Sequence, residues 1–220
     1  MTSQGQDDVR RAYDVVASLY AEHLPDTRAE SALDLAVLDA FIAAVLAGPA
    51  GHEGQVLDAG CGAGRVSRYV ADRGCHVTGV DLSPGMIEMA RRDHPDLSFE
   101  VASLDALPFD DATFAGVMVW YSAIHTPLSG QAAIFAELAR VLRPGGHLVV
   151  AFQSGEGVRD AGPSYARFNL EVELERYLYT PDQVVGFVTD AGLTEVARMV
   201  RRAQGPDRDD QTVLLAQLPL

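Results

Sequence analysis

The chain has 220 residues, of which 48% are hydrophobic, and this size and composition suit one globular domain, residues 1–220, with a core of its own. Its formal net charge is −14, with 31 acidic residues against 17 basic ones, all arginine, which argues against nucleic acid as a partner. No apolar run approaches the ~20 residues of a membrane span, and the N-terminus lacks a signal segment, so we expect a cytoplasmic protein with no membrane partner. Cys61 and Cys75 lack metal-ligand spacing, so we expect free thiols and no metal site.

Apolar residues at helical spacing, together with capping signals, predict a series of helices. In chain order they cover about residues 7–24, 30–46, 66–73, 83–92, 129–142 and 180–191. Ser83 and Pro84 are typical of an N-cap and first helical position, and Thr180 with Gln183 is typical of a capping box.

Seven short apolar segments between these helices predict strands. They cover about residues 55–58, 76–80, 99–101, 114–120, 147–152, 193–200 and 212–217. The almost continuous apolar run 114–120 suits a parallel strand that is covered on both faces. The short link 204–211 between the last two strands favours an antiparallel hairpin. Strands that alternate with helices predict an α/β fold with a doubly wound, mostly parallel sheet.

The most informative segment is Val56–Arg65, a strand that breaks into a turn with glycines at alternate positions and then opens a helix. Such a turn lets a ligand approach backbone N–H groups and the N-terminus of the following helix. Asp81 ends the next apolar run, about twenty residues on, where an acid in this fold reaches ribose hydroxyls. The last glycine comes one residue too early for the dinucleotide fingerprint, so the pattern favours another nucleoside cofactor.

The pattern from Asp58 to Gly64, Asp-x-Gly-x-Gly-x-Gly, resembles motif I of the class I S-adenosylmethionine (SAM) dependent methyltransferases. Asp81 resembles their second acidic motif, and the segments 107–114 and 142–146 resemble those before their fourth and fifth strands. The resemblance implies a seven-stranded Rossmann-like sheet whose last strand is antiparallel. It also implies SAM as the cofactor and S-adenosylhomocysteine (SAH) as its product.

The resemblance also implies a set of cofactor contacts. Asp58 is expected to favour the ammonium of SAM, or else to cap the turn. Asp81 is expected to accept both ribose hydroxyls, and Leu82 and Met86 to enclose adenine, although Met86 is equally suited to the core. The full predicted set is Tyr13, Tyr20, Asp58, Gly60, Cys61, Gly62, Arg65, Asp81, Leu82, Met86, Ser103, Leu104, Asp105 and Trp120, with Gly64 completing the turn.

The adenine edge departs from the family pattern. Many relatives have an aspartate five residues before the proline of Leu-Pro-Phe, where this chain has Ser103. The acid comes two residues later as Asp105, and the backbone of Leu104 is a further candidate. The sequence leaves the choice between Ser103 and Asp105 open.

The segment Trp120–Pro127 follows the fourth strand, at the sheet edge where ligands bind. His125 is either the general base or a histidine that is hydrogen-bonded in a loop, and Tyr121 either orients the acceptor or packs. Residues 1–50 are expected to form a helical lid, with Tyr13 and Tyr20 either at the cofactor or packed on the sheet. The segment 153–180 is expected to be an insertion that builds the acceptor pocket.

These features predict methyl transfer to oxygen, nitrogen or aromatic carbon of a small molecule, and we expect a specialised metabolite as the acceptor. The segment 120–127 lacks the motif of enzymes that methylate exocyclic amines of DNA bases. A methyltransferase acting on protein or RNA, a non-methylating module of the same fold, and a nicotinamide oxidoreductase stay open as alternatives. The sequence leaves the choice between a monomer and a homodimer open.

Overall fold

The computed structural model describes residues 3–48, 54–166, 170–205 and 207–220. Its helices are α1 (Ser3–His23), α2 (Ala32–Leu46), α3 (Arg65–Ala71), α4 (Pro84–Asp93), α5 (Leu128–Val141), α6 (Pro163–Ala166) and α7 (Pro181–Asp190), with short 3₁₀ turns at Thr27–Ala29 and Ala123–His125. Its strands are β1 (Gln55–Ala59), β2 (His76–Asp81), β3 (Ser98–Val101), β4 (Phe114–Trp120), β5 (Leu142–Ser154), β6 (Val158–Asp160), β7 (Glu175–Tyr177), β8 (Thr194–Arg201) and β9 (Asp210–Gln217).

The main sheet has seven strands in the order β3-β2-β1-β4-β5-β9-β8. Strands β1 to β5 pair in parallel, whereas β9 is antiparallel to both of its neighbours. The predicted doubly wound α/β fold with an antiparallel last strand is confirmed. The strand order reverses between β1 and β4, and in such sheets the crevice at this reversal binds ligands.

Strand β4 shows that the sheet is covered on both faces. All of its residues are buried, as its apolar run predicted. Val117 and Val119 belong to the core cluster that includes residues of α5 and α7, whereas Met118 and Trp120 belong to the cluster that includes residues of α2 and α3. The period of two along a strand therefore builds two cores from one apolar run.

The predicted helix caps are present. The Ser83 hydroxyl accepts a hydrogen bond from the Met86 N–H at the start of α4. Thr180 and Gln183 form the expected capping box at the start of α7. The sequence predicted these caps correctly because a cap depends only on residues within one turn of the helix.

Two boundaries and one additional sheet differ clearly from the sequence-based prediction. Helix α1 begins at Ser3 instead of residue 7. Strand β5 begins at Leu142, where a turn over residues 143–146 was expected, because the C-terminus pairs with this turn: the Gly145 N–H donates to the Leu218 carbonyl at 2.8 Å. Strands β6 and β7 form a second, two-stranded antiparallel sheet within the predicted insertion 153–180.

Part of the predicted lid and insertion, residues 1–2, 49–50 and 167–169, lies outside the described residues. Cys61 and Cys75 are buried and free, as expected. Within the described ranges, none of the helices combines the length and the apolar character needed to cross a bilayer.

Candidate active site

One cavity collects every residue of the predicted site. It encloses about 1030 Å³ up to its open mouth, and it is bordered by the turn after β1, the end of β2, the loop after β4 and helix α1. All sixteen predicted residues line it: Tyr13, Tyr20, Asp58, Gly60, Cys61, Gly62, Arg65, Asp81, Leu82, Met86, Ser103, Leu104, Asp105, Trp120, Tyr121 and His125. The tertiary structure thus brings together residues that are more than 100 positions apart.

The glycine turn differs in one respect from the expectation. The N–H groups of Gly60 and Cys61 donate to the Val80 carbonyl at 2.7 and 2.8 Å, and that of Gly62 donates to Asp81 Oδ2 at 2.8 Å. These three donors hold β1 to β2, so they are not free for a ligand. The prediction did not take into account that the Val80 carbonyl of the neighbouring strand also needs hydrogen-bond donors.

Close packing explains two of the glycines. A Cβ on Gly60 would lie 2.1 Å from the Ser122 Cβ, so the loop after β4 can approach the turn only at a glycine. Gly64 has a φ of 82°, and a Cβ there would meet the rings of Phe99 and His94 at 2.9 Å. Gly64 is not among the residues that line the cavity, so its part is to let α3 pack near β3, not to face a ligand.

Asp58 is the most unusual charge of the cavity. It is 1% exposed; its Oδ2 accepts from the Ser67 hydroxyl at 2.6 Å, while its Oδ1 is buried without a partner among the described residues. Burial raises the pKa of this carboxyl to about 7. A buried, unpaired carboxylate oxygen beside a cavity is costly unless a ligand supplies a donor. The ammonium of SAM fits this requirement.

Asp81 is the last residue of β2, and its side chain accepts hydrogen bonds from both the glycine turn and the start of α4. Its Oδ2 accepts from the Gly62 N–H and its Oδ1 from the Ser83 N–H at 2.9 Å. Burial raises the pKa of this carboxyl. A carboxylate offers about four lone-pair positions, so Asp81 has acceptor capacity left for two ribose hydroxyls.

Met86 belongs to the core and also borders the cavity. It is 1% exposed and packs against Val16 and Ala17 of α1, and it also lines the cavity.

The adenine edge involves a residue that the sequence analysis missed. Gln6 of α1 donates to Ser103 Oγ at 3.1 Å and to Asp105 Oδ2 at 2.8 Å, and the Ser103 hydroxyl also bonds Asp105. Gln6, Ser103 and Asp105 therefore form one hydrogen-bonded group. No local signal marks Gln6, because its partners lie almost a hundred residues away.

His125 lies at the centre of a second hydrogen-bonded chain. Its Nδ1 is 2.6 Å from the Glu175 carbonyl and its Nε2 is 2.7 Å from the Tyr13 hydroxyl. A carbonyl only accepts, so Nδ1 carries the proton and the Tyr13 hydroxyl donates to Nε2. Burial lowers the pKa of His125 to about 4, so the imidazole is neutral.

This arrangement refines the two roles that the sequence left open for His125. The neutral ring has a basic nitrogen, but the Tyr13 hydroxyl occupies it. Nε2 is therefore not free to accept a further hydrogen bond while Tyr13 holds this position. Tyr121 lies nearby with a left-handed φ of 55°, which is rare for a tyrosine, and burial raises its pKa.

Arg65 forms an ion pair with Glu30, a residue outside the predicted set. Its Nη1 lies 2.5 Å from Glu30 Oε1, and the side chains of Arg65 and Glu30 are only 10% and 4% exposed. The Trp120 indole N–H donates to the same oxygen at 3.2 Å. Glu30 had been assigned only to the predicted helix 30–46, and because its partners are distant in sequence, only the fold reveals it.

Comparisons with known proteins indicate a methyltransferase domain. Residues 56–146 match the family model described as a methyltransferase domain. The chain is 33% identical over 164 residues to a malonyl-[acyl-carrier protein] O-methyltransferase of Enterobacter lignolyticus, an alignment that covers 74% of this chain and 63% of that relative. It is 28% identical over 240 residues to a demethylmenaquinone methyltransferase of Paenarthrobacter aurescens, which covers 96% and 89% of the two chains.

The fold is also similar to that of solved structures. A SAM-dependent methyltransferase of Methanosarcina mazei superposes with a TM-score of 0.71 at 20% identity, over 84% of this chain and 97% of that one. The chain is thus similar in sequence to curated methyltransferases and in fold to solved SAM-dependent methyltransferases. The chain spans a little under two thirds of the length of the Enterobacter relative, so its own reaction is treated as a proposal.

Proposed function

We propose that this protein transfers a methyl group from SAM to oxygen, nitrogen or aromatic carbon of a small molecule and releases SAH. The observation that carries the proposal is the unpaired Asp58 carboxylate oxygen, buried at the wall of a cavity that Asp81 also lines. A cofactor with an ammonium at one end and a ribose further along satisfies both acids. A dinucleotide carries no ammonium group that could donate to Asp58.

Bound SAM supplies a methyl group that is already activated on a sulfonium. The residues of the chain then have to bind, orient and exclude water. Asp58 holds the ammonium, Asp81 accepts from the ribose hydroxyls, and the group formed by Gln6, Ser103 and Asp105 borders adenine. Because Gln6 and Tyr13 both lie on α1, this helix closes over the cofactor.

The Tyr13–His125 pair serves the acceptor. A phenol or alcohol that loses its proton during transfer passes it towards His125 Nε2, with Tyr13 as the neighbouring hydroxyl. An amine or an electron-rich carbon needs orientation more than a base. The Glu175 carbonyl keeps His125 in the tautomer that accepts on Nε2.

We further propose that residues 1–50 act as the lid and residues 153–180 as the wall of the acceptor pocket, within a single domain. A specialised metabolite as the acceptor, a cytoplasmic location and a monomer or homodimer complete the proposal. The acidic surface, with a net charge of −14, supports a small acceptor over RNA.

The experiment that tests the function has two stages. Calorimetry with SAM, SAH and NAD is expected to detect SAM and SAH but not NAD. Mass spectrometry then follows SAH formation with phenols, amines, indoles and carboxylic acids as acceptors. Binding of NAD alone would contradict the cofactor, and SAM binding without turnover on any small acceptor would favour a macromolecular substrate or a non-methylating role.

A further inference from the structure

A second cavity opens beside the candidate active site. It encloses about 950 Å³ up to its mouth, and we call it the acceptor chamber. Five residues border both cavities: Tyr13, Tyr20, Arg65, Tyr121 and His125. A molecule in the acceptor chamber therefore lies against the same side chains as a cofactor in the first cavity.

The chamber is lined by charges, and most of them are already paired. Glu30 pairs with Arg65 at 2.5 Å, and Arg201 pairs with Asp34 at 3.1 Å and Asp207 at 2.7 Å. These contacts satisfy two of the chamber's arginines within the protein. They leave little free charge on that side for a ligand.

Arg176 is the exception among the chamber's arginines. It forms no ion pair with any residue in the ranges that the structure describes, and its Nε is buried without a hydrogen-bond partner there. A buried guanidinium N–H that gives up water without gaining an acceptor is costly. The cost is recovered if a ligand supplies the acceptor.

The position of Arg176 directs such a ligand to the reacting centre. Arg176 follows Glu175, whose carbonyl binds His125 Nδ1. The charge of Arg176 acts on Tyr13, His125 and Tyr165, whereas Asp34, Arg201, Glu30 and Asp207 act on Tyr121. The unpaired guanidinium thus lies on the His125 side of the chamber.

Two unpaired acceptor atoms complete the pattern. Gln153 Oε1 and Glu30 Oε2 are buried, lack partners among the described residues, and belong to residues that line the same chamber. They call for a ligand that also carries hydroxyl or amine protons. An extended hydrocarbon chain would leave all three atoms unsatisfied.

We propose that the methyl acceptor carries a carboxylate that pairs with Arg176 in the acceptor chamber, together with a hydroxyl or amine group that donates to Gln153 or Glu30. The planar guanidinium binds a carboxylate through two parallel hydrogen bonds. One free cation balances one negative charge, and three acids line the same chamber, so a phosphate dianion is disfavoured. This inference rests on the proposed methyl transfer, because it assigns the second cavity to the acceptor.

The test compares acids with their own amides on the full chain saturated with SAH. The probes are salicylate, 4-hydroxybenzoate, anthranilate and 3-hydroxybutyrate, each beside its primary amide, and calorimetry measures binding. At least one acid is expected to bind about tenfold or more tightly than its amide. Arg176→Gln is expected to lower the affinity for that acid to the level of the amide.

Arg159→Gln is the matched control. Arg159 is the cross-strand neighbour of Arg176 in the β6–β7 hairpin, but it pairs with Asp209 at 3.1 Å and is not among the residues that line the chamber. This variant removes the same charge from the same hairpin and is expected to keep the preference for the acid. Circular dichroism and unchanged SAH affinity establish that both variants are folded.

The proposal is overturned if no acid binds better than its amide, including the case in which none binds, or if the preference survives Arg176→Gln. An equal loss in Arg159→Gln would also overturn it, since the effect would then be general charge. SAH binding separates this failure from that of the methyl transfer proposal: SAH that binds without any acid preference refutes the carboxylate alone. If the wild-type protein does not bind SAH, both the carboxylate proposal and the methyl transfer proposal are refuted.

Discussion

The cofactor end and the acceptor end of the site are built in different ways. The centre of the proposed cofactor end is a local motif: the turn after β1 is held by the end of β2, and Asp81 lies 19 residues from Gly62. Its outer edge uses a distant residue, Gln6 of α1. The proposed acceptor end is joined throughout from distant segments, since Tyr13 and His125 are 112 residues apart and His125 and Glu175 are 50 apart.

The two ends also differ in the charge that they leave unpaired. Among the described residues, the unsatisfied atom at the cofactor end is a carboxylate oxygen of Asp58, whereas at the acceptor end the donor Arg176 Nε is unsatisfied together with the acceptors Gln153 Oε1 and Glu30 Oε2. Opposite unpaired charges in adjoining cavities favour two different ligands over one. This teaches that a ligand class can be inferred from which buried atoms the protein leaves without a partner.

The largest effect is expected at Asp81, where the cofactor end depends on one carboxylate. Asp81→Ala is expected to weaken SAH binding by about 100-fold or more, because charged hydrogen bonds to two hydroxyls contribute about 1.5–3 kcal/mol each. Calorimetry measures the change. The control is Asp96→Ala, an acid that pairs with Arg68 at 2.6 Å on the surface. Wild-type affinity in Asp81→Ala would remove the ribose assignment.

The acceptor end is tested through the stability of the fold. Burial lowers the pKa of His125 to about 4, whereas an unfolded histidine has a pKa of about 6.5. Between pH 7 and pH 5 the unfolded chain gains a proton that the folded chain does not, so His125 lowers the unfolding free energy by about 2 kcal/mol as the pH falls. His125→Gln is expected to lose this part of the pH dependence.

Denaturant unfolding at several pH values measures the effect. The exposed His76 provides the control, since His76→Gln is expected to keep the wild-type slope with pH. An identical slope in the wild type and in His125→Gln would mean that His125 is not held neutral at the centre of the acceptor end.

The smallest expected effect concerns Asp58 and the pH dependence of cofactor binding. Burial raises the pKa of Asp58 to about 7, so the carboxyl ionises as the pH rises from 5.5 to 7.5, and the ionised form attracts the ammonium. Affinity for SAH is expected to rise by up to about tenfold over this range. Asp58→Asn is expected to bind SAH more weakly at pH 7.5 and to show a flat profile.

Calorimetry at each pH provides the comparison. The same variant is expected to be at least as stable as the wild type at pH 8, because it removes a buried charge whose Oδ1 is unpaired. A rise of affinity with pH that persists in Asp58→Asn would assign the ammonium to another group.

The sequence predicted the turn after β1 and the position of Asp81 beside it because those signals are local. The glycine spacing, the position of Asp81 and the cap at Ser83 all lie within one strand–turn–helix unit and the next strand. The hydrophobic periods predicted the main sheet for the same reason. Boundaries failed where a distant segment decided them, as at residues 143–146, where pairing with Leu218 extends β5.

The sequence alone determined the fold class, the family resemblance and the candidate residues around the turn. Residue spacing and hydrophobic period can be read directly from the sequence. Only the tertiary structure decided that Tyr13 occupies the basic nitrogen of His125, that Glu30 engages Arg65, and that Arg176 faces the chamber without an ion pair among the described residues. These are pairings across long loops. Their geometry depends on how the sheet, α1 and the β6–β7 hairpin pack, which no short stretch of residues encodes.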